Sequence, residues 1–358
     1  MGPDPVHLNF ASDNVMGASA PVLEALVRAS VGAMPAYGAD DLTVEVERSF
    51  CDLFEREVAV FLVGTGTAAN ALALATLVSP WGLCLCHEEA HVIDEECGAP
   101  EFFTHGAKLH GLKGVGCKID PATLRATLDG FSAHEKQMPA QAVSISQATE
   151  SGLVYRPDEI AAIAEVCRER ALRLHMDGAR FANALVAQDV SPAAMTWRAG
   201  VDILSFGATK NGCLAAEAIV VFDPSLADTL TYRRKRSGQT FSKGRFLAAQ
   251  FAGYLGQDHW LQNARHANAM ARCLADGLAA VPGVRLAWEV QANEVFLIIP
   301  DDLDRRLKAG GAAYHPWSPR ALSADEGVAP GEKLIRLVAS FATKREAVDD
   351  LLTVASGP

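Results

Sequence analysis

Runs of consecutive apolar residues limit what this chain can fold into. Residues 58–63, 83–86, 203–206 and 218–222 are apolar, or nearly so, at successive rather than alternate positions. A strand with one wet face alternates, whereas a strand apolar throughout is covered on both faces, as in a parallel sheet flanked by helices. Residues 142–146 and 173–176 read as two further strands. Between them lie helical spacings at 20–29, 43–56, 68–77 and 157–170. Ser19 is a candidate cap for the first, Pro21 stands in its opening turn, and Pro157 opens the last. Short strands alternating with helices predict βαβ units and a mainly parallel sheet. From about residue 245 the pattern changes. One long helical stretch, 246–278, precedes strands at 284–288, 295–299 and 334–338 and a final helix. The expected division is an N-terminal segment, 1–17, a large domain, 18–245, and a small C-terminal α+β domain, 246–358.

Composition narrows the functional classes. The chain has 358 residues, 49% hydrophobic and 21% charged, enough for a large core. Its net charge is −11 and no stripe of Lys and Arg is interleaved with aromatics, so no nucleic-acid partner is expected. No apolar run reaches membrane-spanning length, so no membrane partner is expected either. The opening Met1-Gly2-Pro3-Asp4-Pro5 lacks the charged and apolar regions of a signal peptide. Eight scattered cysteines then read as reduced thiols of a cytoplasmic protein.

The residues with chemistry stand just after the strands. Lys210 follows Ser205-Phe206-Gly207-Ala208-Thr209, a buried strand and a run of small residues, the setting for a Schiff-base amine. A solvated strand-end lysine is the plainer alternative. Gly64-Thr65-Gly66-Thr67 joins a strand to a helix, where free amides and the helix dipole bind phosphate; a capped tight turn competes. Asp177 ends a strand and suits a protonated pyridine nitrogen, or an ion pair with Arg180. His91 offers an imidazole to stack on a flat ring and exchange protons near pH 7, or is a satisfied structural histidine. Cys84, Cys86, His87 and His91 raise a metal reading, but alternate strand residues share a face and adjacent ones do not, so four tetrahedral ligands are not expected from this span. Arg336 interrupts an apolar strand, where an arginine takes a carboxylate in a bidentate clamp or an internal salt bridge.

Taken together, Phe10-Ala11-Ser12-Asp13-Asn14, Ala36-Tyr37-Gly38, Thr65-Gly66-Thr67-Ala68-Ala69-Asn70, Ala90-His91, His175-Met176-Asp177-Gly178-Ala179-Arg180 and the Lys210 run resemble the L-threonine aldolase family. The run Glu96-Cys97-Gly98-Ala99-Pro100-Glu101-Phe102-Phe103 resembles its bacterial low-specificity and phenylserine aldolase branch. The resemblance covers nearly the whole chain. It implies the aspartate-aminotransferase-like fold of pyridoxal phosphate enzymes, an α/β large domain with a seven-stranded sheet, and a homotetramer of dimers sharing active sites. It implies cleavage of L-threonine, L-allo-threonine and related L-β-hydroxy-α-amino acids to glycine and an aldehyde. A β-eliminating lyase on the same fold is the alternative.

The resemblance also implies roles. Lys210 bonds pyridoxal 5'-phosphate covalently, Asp177 meets the pyridine nitrogen, and His91 stacks on the ring. Gly66 and Thr67, with Thr209 as helper, hold the phosphate. Arg180 lies near the ring hydroxyl and the substrate. Ser12 and Arg336 bind the α-carboxylate, and Tyr37 lies near the substrate, contributed by its own or a neighbouring subunit. No metal is implied. Glu150 stands where many relatives carry a second histidine, so the base for the β-hydroxyl is His91 or Glu150. Ala39 and Asn211 depart from the family pattern, and Lys243 and Arg245 are either phosphate ligands across an interface or solvated surface.

Overall fold

The computed structural model describes residues 7–132, 134–323 and 327–357. The opening pentapeptide read above for targeting features lies outside the described residues. Seven strands form the main sheet: β1 Ala59–Val63, β2 Leu83–His87, β3 Lys108–Leu112, β4 Ala140–Ser146, β5 Arg173–Gly178, β6 Ile203–Gly207 and β7 Glu217–Val221. Their order across the sheet is β1-β7-β6-β5-β4-β2-β3. β7 runs antiparallel to both neighbours, and every other pairing is parallel. The mainly parallel sheet expected from the continuous apolar runs is therefore present. β3 was not foreseen, because as the edge strand it is only partly covered and carries no apolar run.

Helices pack on both faces. Phe206 on β6 lies at the centre of one face, with ring centroids 5.2 Å from Phe50, 5.5 Å from Trp260 and 5.7 Å from Phe181. The Ser19 cap differs from expectation. Ser19 does occupy the N-cap of helix Ala20–Ala29, but its hydroxyl makes no cap bond. It donates instead to the Gly212 carbonyl at 3.2 Å, tying this helix to the turn that carries Lys210.

The second sheet is antiparallel throughout: β8 Arg285–Leu286, β9 Glu294–Pro300, β10 His315–Pro316 and β11 Glu332–Val338, in the order β10-β11-β9-β8. The strand expected at 284–288 shrinks to two exposed residues at the sheet edge. The helix expected over 246–278 is two helices, Arg245–Leu255 and His259–Ala279. Gln257 and Asp258 separate them at φ 54° and 56°, left-handed conformations that an α-helix does not continue through. The second helix serves two cores: Trp260 and Ala264 pack into the large one, Ala271 and Leu274 into the small one. Phe10 from the N-terminal segment also packs into the small core. The division at 17/18 and 245/246 stands as a proposal, with this long helix as the shared element.

Truncating Phe206 to Ala removes the ring on which the large core converges. It is expected to lower unfolding stability by about 3–5 kcal/mol, read as a fall in the urea midpoint.

Candidate active site

Parallel strands end together, so the loops leaving β1, β2, β4, β5 and β6 open onto one edge of the sheet. β7 runs the other way, and its first residue, Glu217, reaches the same edge opposite Val63 and Gly207. The loops enclose a cavity of 390 Å³ lined by Gly66, Thr67, His91, Glu150, Asp177, Arg180, Thr209, Lys210 and Glu217, among others. A wider space of 580 Å³ shares His91, Glu150, Arg180 and Lys210 with it and adds Ser12, His315, Trp317 and Arg336 from the N-terminal segment and the small sheet. Ten of the eleven site residues expected from the sequence thus line two adjoining cavities. The exception is Tyr37, more than half exposed, whose ring lies beneath the Lys235 ammonium at 4.9 Å and lines a separate cleft with Phe241 and Arg234. Lys243 and Arg245 line neither cavity; Arg245 bonds the Gly32 carbonyl.

At one end of the inner cavity, Thr65 caps the 12-residue helix Gly66–Leu77, its hydroxyl accepting the Ala68 amide. The Gly66 and Thr67 amides lie in the first turn, where N–H groups have no intrahelical acceptor. An added Cβ on Gly66 would meet nothing within 4 Å, so open space faces this helix end. One turn further, buried Asn70 donates from Nδ2 to both Asp177 and Glu96, each at 2.8 Å. Asp177 also accepts the Ala179 amide at 3.0 Å. Behind it, His175 sits between the Ser144 and Ser205 hydroxyls, and burial drops its pKa to about 4, leaving it neutral.

His91 opens the short helix His91–Asp94. Its Nδ1 bonds Glu96 at 2.9 Å, which raises its pKa and favours the imidazolium. Its backbone N–H donates to Glu150 at 2.9 Å, and Ser146 donates to the same Glu150 oxygen at 2.6 Å. Burial still outweighs these bonds and raises Glu150 to about 7, and its second oxygen is buried without a partner. Burial also lifts Glu217 to about 7 although it accepts the Ala208 amide.

Lys210 is carried by a single 3-10 turn, Thr209–Asn211. The turn is held from below. Asn211 donates to Tyr254 Oη and to the Trp260 carbonyl, each at 2.8 Å, and its own carbonyl accepts from Asn263. Asn211 is thus a structural anchor for the lysine. The Thr209 hydroxyl accepts the Ala216 amide at 3.2 Å.

The two arginines differ. Arg180 makes a bidentate pair with Asp13, at 2.8 and 3.0 Å, and lies 3.3 Å from Glu294. Burial alone would raise the Asp13 carboxyl; Arg180, with Lys210 beyond it, outweighs that and holds it below its usual value. Arg336 meets the Ala11 carbonyl at 3.3 Å and Glu294 at 3.8 Å. Ser12 caps the turn Asp13–Val15 beside them. Of the cluster weighed for metal, Cys84 and Cys86 are buried in the core beside β2 and His87 bonds the Gly114 carbonyl. Among the described residues no group of three or more His, Cys, Asp or Glu is placed to hold a metal ion.

Sequence reasoning assigned no role to Asn70, Glu96, Asp13, Glu217, Glu294 or Trp317. Asn70 left a signal as an amide inside an otherwise apolar helix, and Glu217 as a carboxylate opening an apolar strand.

Comparison with known proteins gives a consistent picture. The Beta-eliminating lyase family matches residues 9–301. The low specificity L-threonine aldolase of Pseudomonas aeruginosa is 45% identical over 309 residues, spanning 86% of this chain and 89% of its own length. Its counterpart in a Pseudomonas species is 43% identical over the same shares. The structure of a Leishmania major threonine aldolase superposes with a TM-score of 0.89 at 27% identity, covering 97% of this chain and 98% of the other.

Replacing Glu96 with Gln removes the carboxylate that favours the imidazolium form of His91. The His91 titration midpoint, followed by ring chemical shifts, is expected to fall.

Proposed function

The chain belongs to the Beta-eliminating lyase family, and within it to the low-specificity L-threonine aldolases, and from that premise we propose how its residues divide the work. The enzyme is a carbon–carbon lyase. It uses pyridoxal 5'-phosphate to split L-threonine and L-allo-threonine into glycine and acetaldehyde. The residues present fit that cofactor: open amides at a helix end for a phosphate, a carboxylate at Asp177 for a ring nitrogen, and an amine at Lys210. When bound, the group supplies an electron sink for the charge left on Cα as the Cα–Cβ bond breaks.

Every other contribution belongs to the protein. Gly66 and Thr67, with Thr209, would hold the phosphate, Lys210 would hold the aldehyde carbon, and His91 would lie against the ring. Asp177, aimed by Asn70 and the Ala179 amide, keeps a proton at the pyridine nitrogen. Arg336 and Ser12 take the substrate α-carboxylate and so fix which bond at Cα stands across the ring. Arg180, already paired with Asp13 and Glu294, would offer a polar wall to the ring hydroxyl.

The base for the β-hydroxyl is Glu150. The observation that supports this is its unpartnered buried oxygen on a carboxyl with a pKa of about 7, whereas Glu96 favours the protonated form of His91. A group poised near operating pH accepts a proton best. We extend the substrate range to phenylserine, because the outer cavity of 580 Å³ has room for an aryl group beside His315 and Trp317. We propose a homotetramer of dimers as well. Leu23, Val27, Val31 and Met34 leave an exposed apolar stripe along and beyond helix Ala20–Ala29, and Tyr37 lies outside its own chain's cavities. No helix among the described residues is long and apolar enough to cross a membrane, and all eight cysteines are free, which supports a cytoplasmic location.

Two outcomes follow. The three substrates L-threonine, L-allo-threonine and L-phenylserine should each release glycine plus the matching aldehyde by product analysis; a 2-oxo acid and ammonia instead would indicate β-elimination. The kcat/KM profile should rise as Glu150 ionises through pH about 7. In Glu150→Gln that limb should vanish and kcat fall by roughly 10²–10⁴.

A further inference from the structure

Trp317 follows β10, and its amide donates to the Leu334 carbonyl at 2.9 Å, which fixes its backbone to β11. Its ring rests edge-on against Phe296 at 5.5 Å, and Phe296 rests in turn on Trp288 at 5.2 Å. The indole is therefore held by packing from behind. In front of it stands Arg336, whose guanidinium carbon lies 4.3 Å from the ring centroid.

Arg336 is poorly served by other groups. Its side chain is 15% exposed, its Nε is buried without a hydrogen-bond partner, Nη2 makes a long 3.3 Å bond to the Ala11 carbonyl, and its nearest carboxylate, Glu294, is 3.8 Å away and 3.3 Å from Arg180. Burial lowers its pKa, as expected of a cation short of counter-charge. An aromatic face attracts a guanidinium without occupying any of its N–H donors. A carboxylate partner would occupy them in pairs, as Asp13 does on Arg180.

We propose that Trp317 is the positioning residue of the substrate-carboxylate clamp: its indole holds Arg336 by the face, so that the fork stays free for the α-carboxylate and off Glu294. This rests on the assignment of Arg336 as carboxylate ligand made above. Without the ring, Arg336 closes the gap to Glu294 and the clamp is spent internally.

The test uses the holoenzyme and two ligands, glycine and 2-aminoethanol, which differ in the carboxylate. Dissociation constants are read from the cofactor absorbance, beside KM and kcat for L-threonine. Trp317→Leu should weaken glycine about tenfold and raise KM similarly, with kcat falling by less than KM rises and 2-aminoethanol binding within twofold of wild type. Trp317→Phe keeps a ring with a weaker quadrupole and should fall between the two, which preserves the test if the Leu variant does not fold. Arg336→Leu should abolish the preference for glycine. If Arg336→Leu loses that preference but neither Trp317 variant changes it, the positioning role is wrong and the clamp stands. If both ligands weaken equally in Trp317→Leu, the ring is merely structural and the proposal is overturned. If Arg336→Leu keeps the preference, the clamp assignment itself fails.

Discussion

The parallel register of β5 against β6 is the constraint on which the site depends. Asp177 lies opposite Ser205 and Gly178 opposite Phe206, so the strand that ends in the carboxylate and the strand that leads to the lysine finish at one edge of the sheet. The approach there is close. A Cβ on Gly207 would come within 2.5 Å of the Ala179 carbonyl, so only glycine lets the two strand ends meet. A one-residue slip would turn Asp177 and every neighbour on β5 to the opposite face. The core protects against that slip, because Leu174 and Met176 would have to exchange places with His175 and Asp177.

Around that junction the protein must keep several carboxylates in little water. It does so by giving each a different partner. Asp177 takes an amide and a backbone N–H, Asp13 takes a guanidinium, and Glu96 takes an amide and an imidazole. Burial still raises Glu96, whose second oxygen has no partner, and it lifts Glu150 and Glu217 to about 7. The same carboxyl chemistry thus yields Asp13, held below its usual value by Arg180, and Glu150 and Glu217, able to exchange a proton near neutrality. Arg180 and Arg336 repeat the pattern with the opposite sign: one is saturated by carboxylates, the other has a backbone carbonyl, a more distant carboxylate and an indole face.

The chain's folding pattern was legible where burial is two-sided. Residues 58–63 and 218–222 read as covered strands because nothing polar interrupts them, whereas the half-exposed edge strand Lys108–Leu112 carried no such signal. Site residues at strand ends, such as Asp177 and Lys210, were legible for the same reason, since position in a βαβ unit predicts where a side chain emerges. Their supports were not. Asp13 meets Arg180, and Asn70 meets Asp177, across long stretches of chain, and local spacing carries no record of such pairs. Trp317 carries no local signal either; the register of β10 on β11 brings it to Arg336.

Reduction of the cofactor-loaded protein with borohydride, followed by peptide mapping, tests the centre of this account. One pyridoxyl group per chain should be fixed irreversibly on the peptide containing Lys210. A label on any other lysine, or a protein that takes up none, would contradict it.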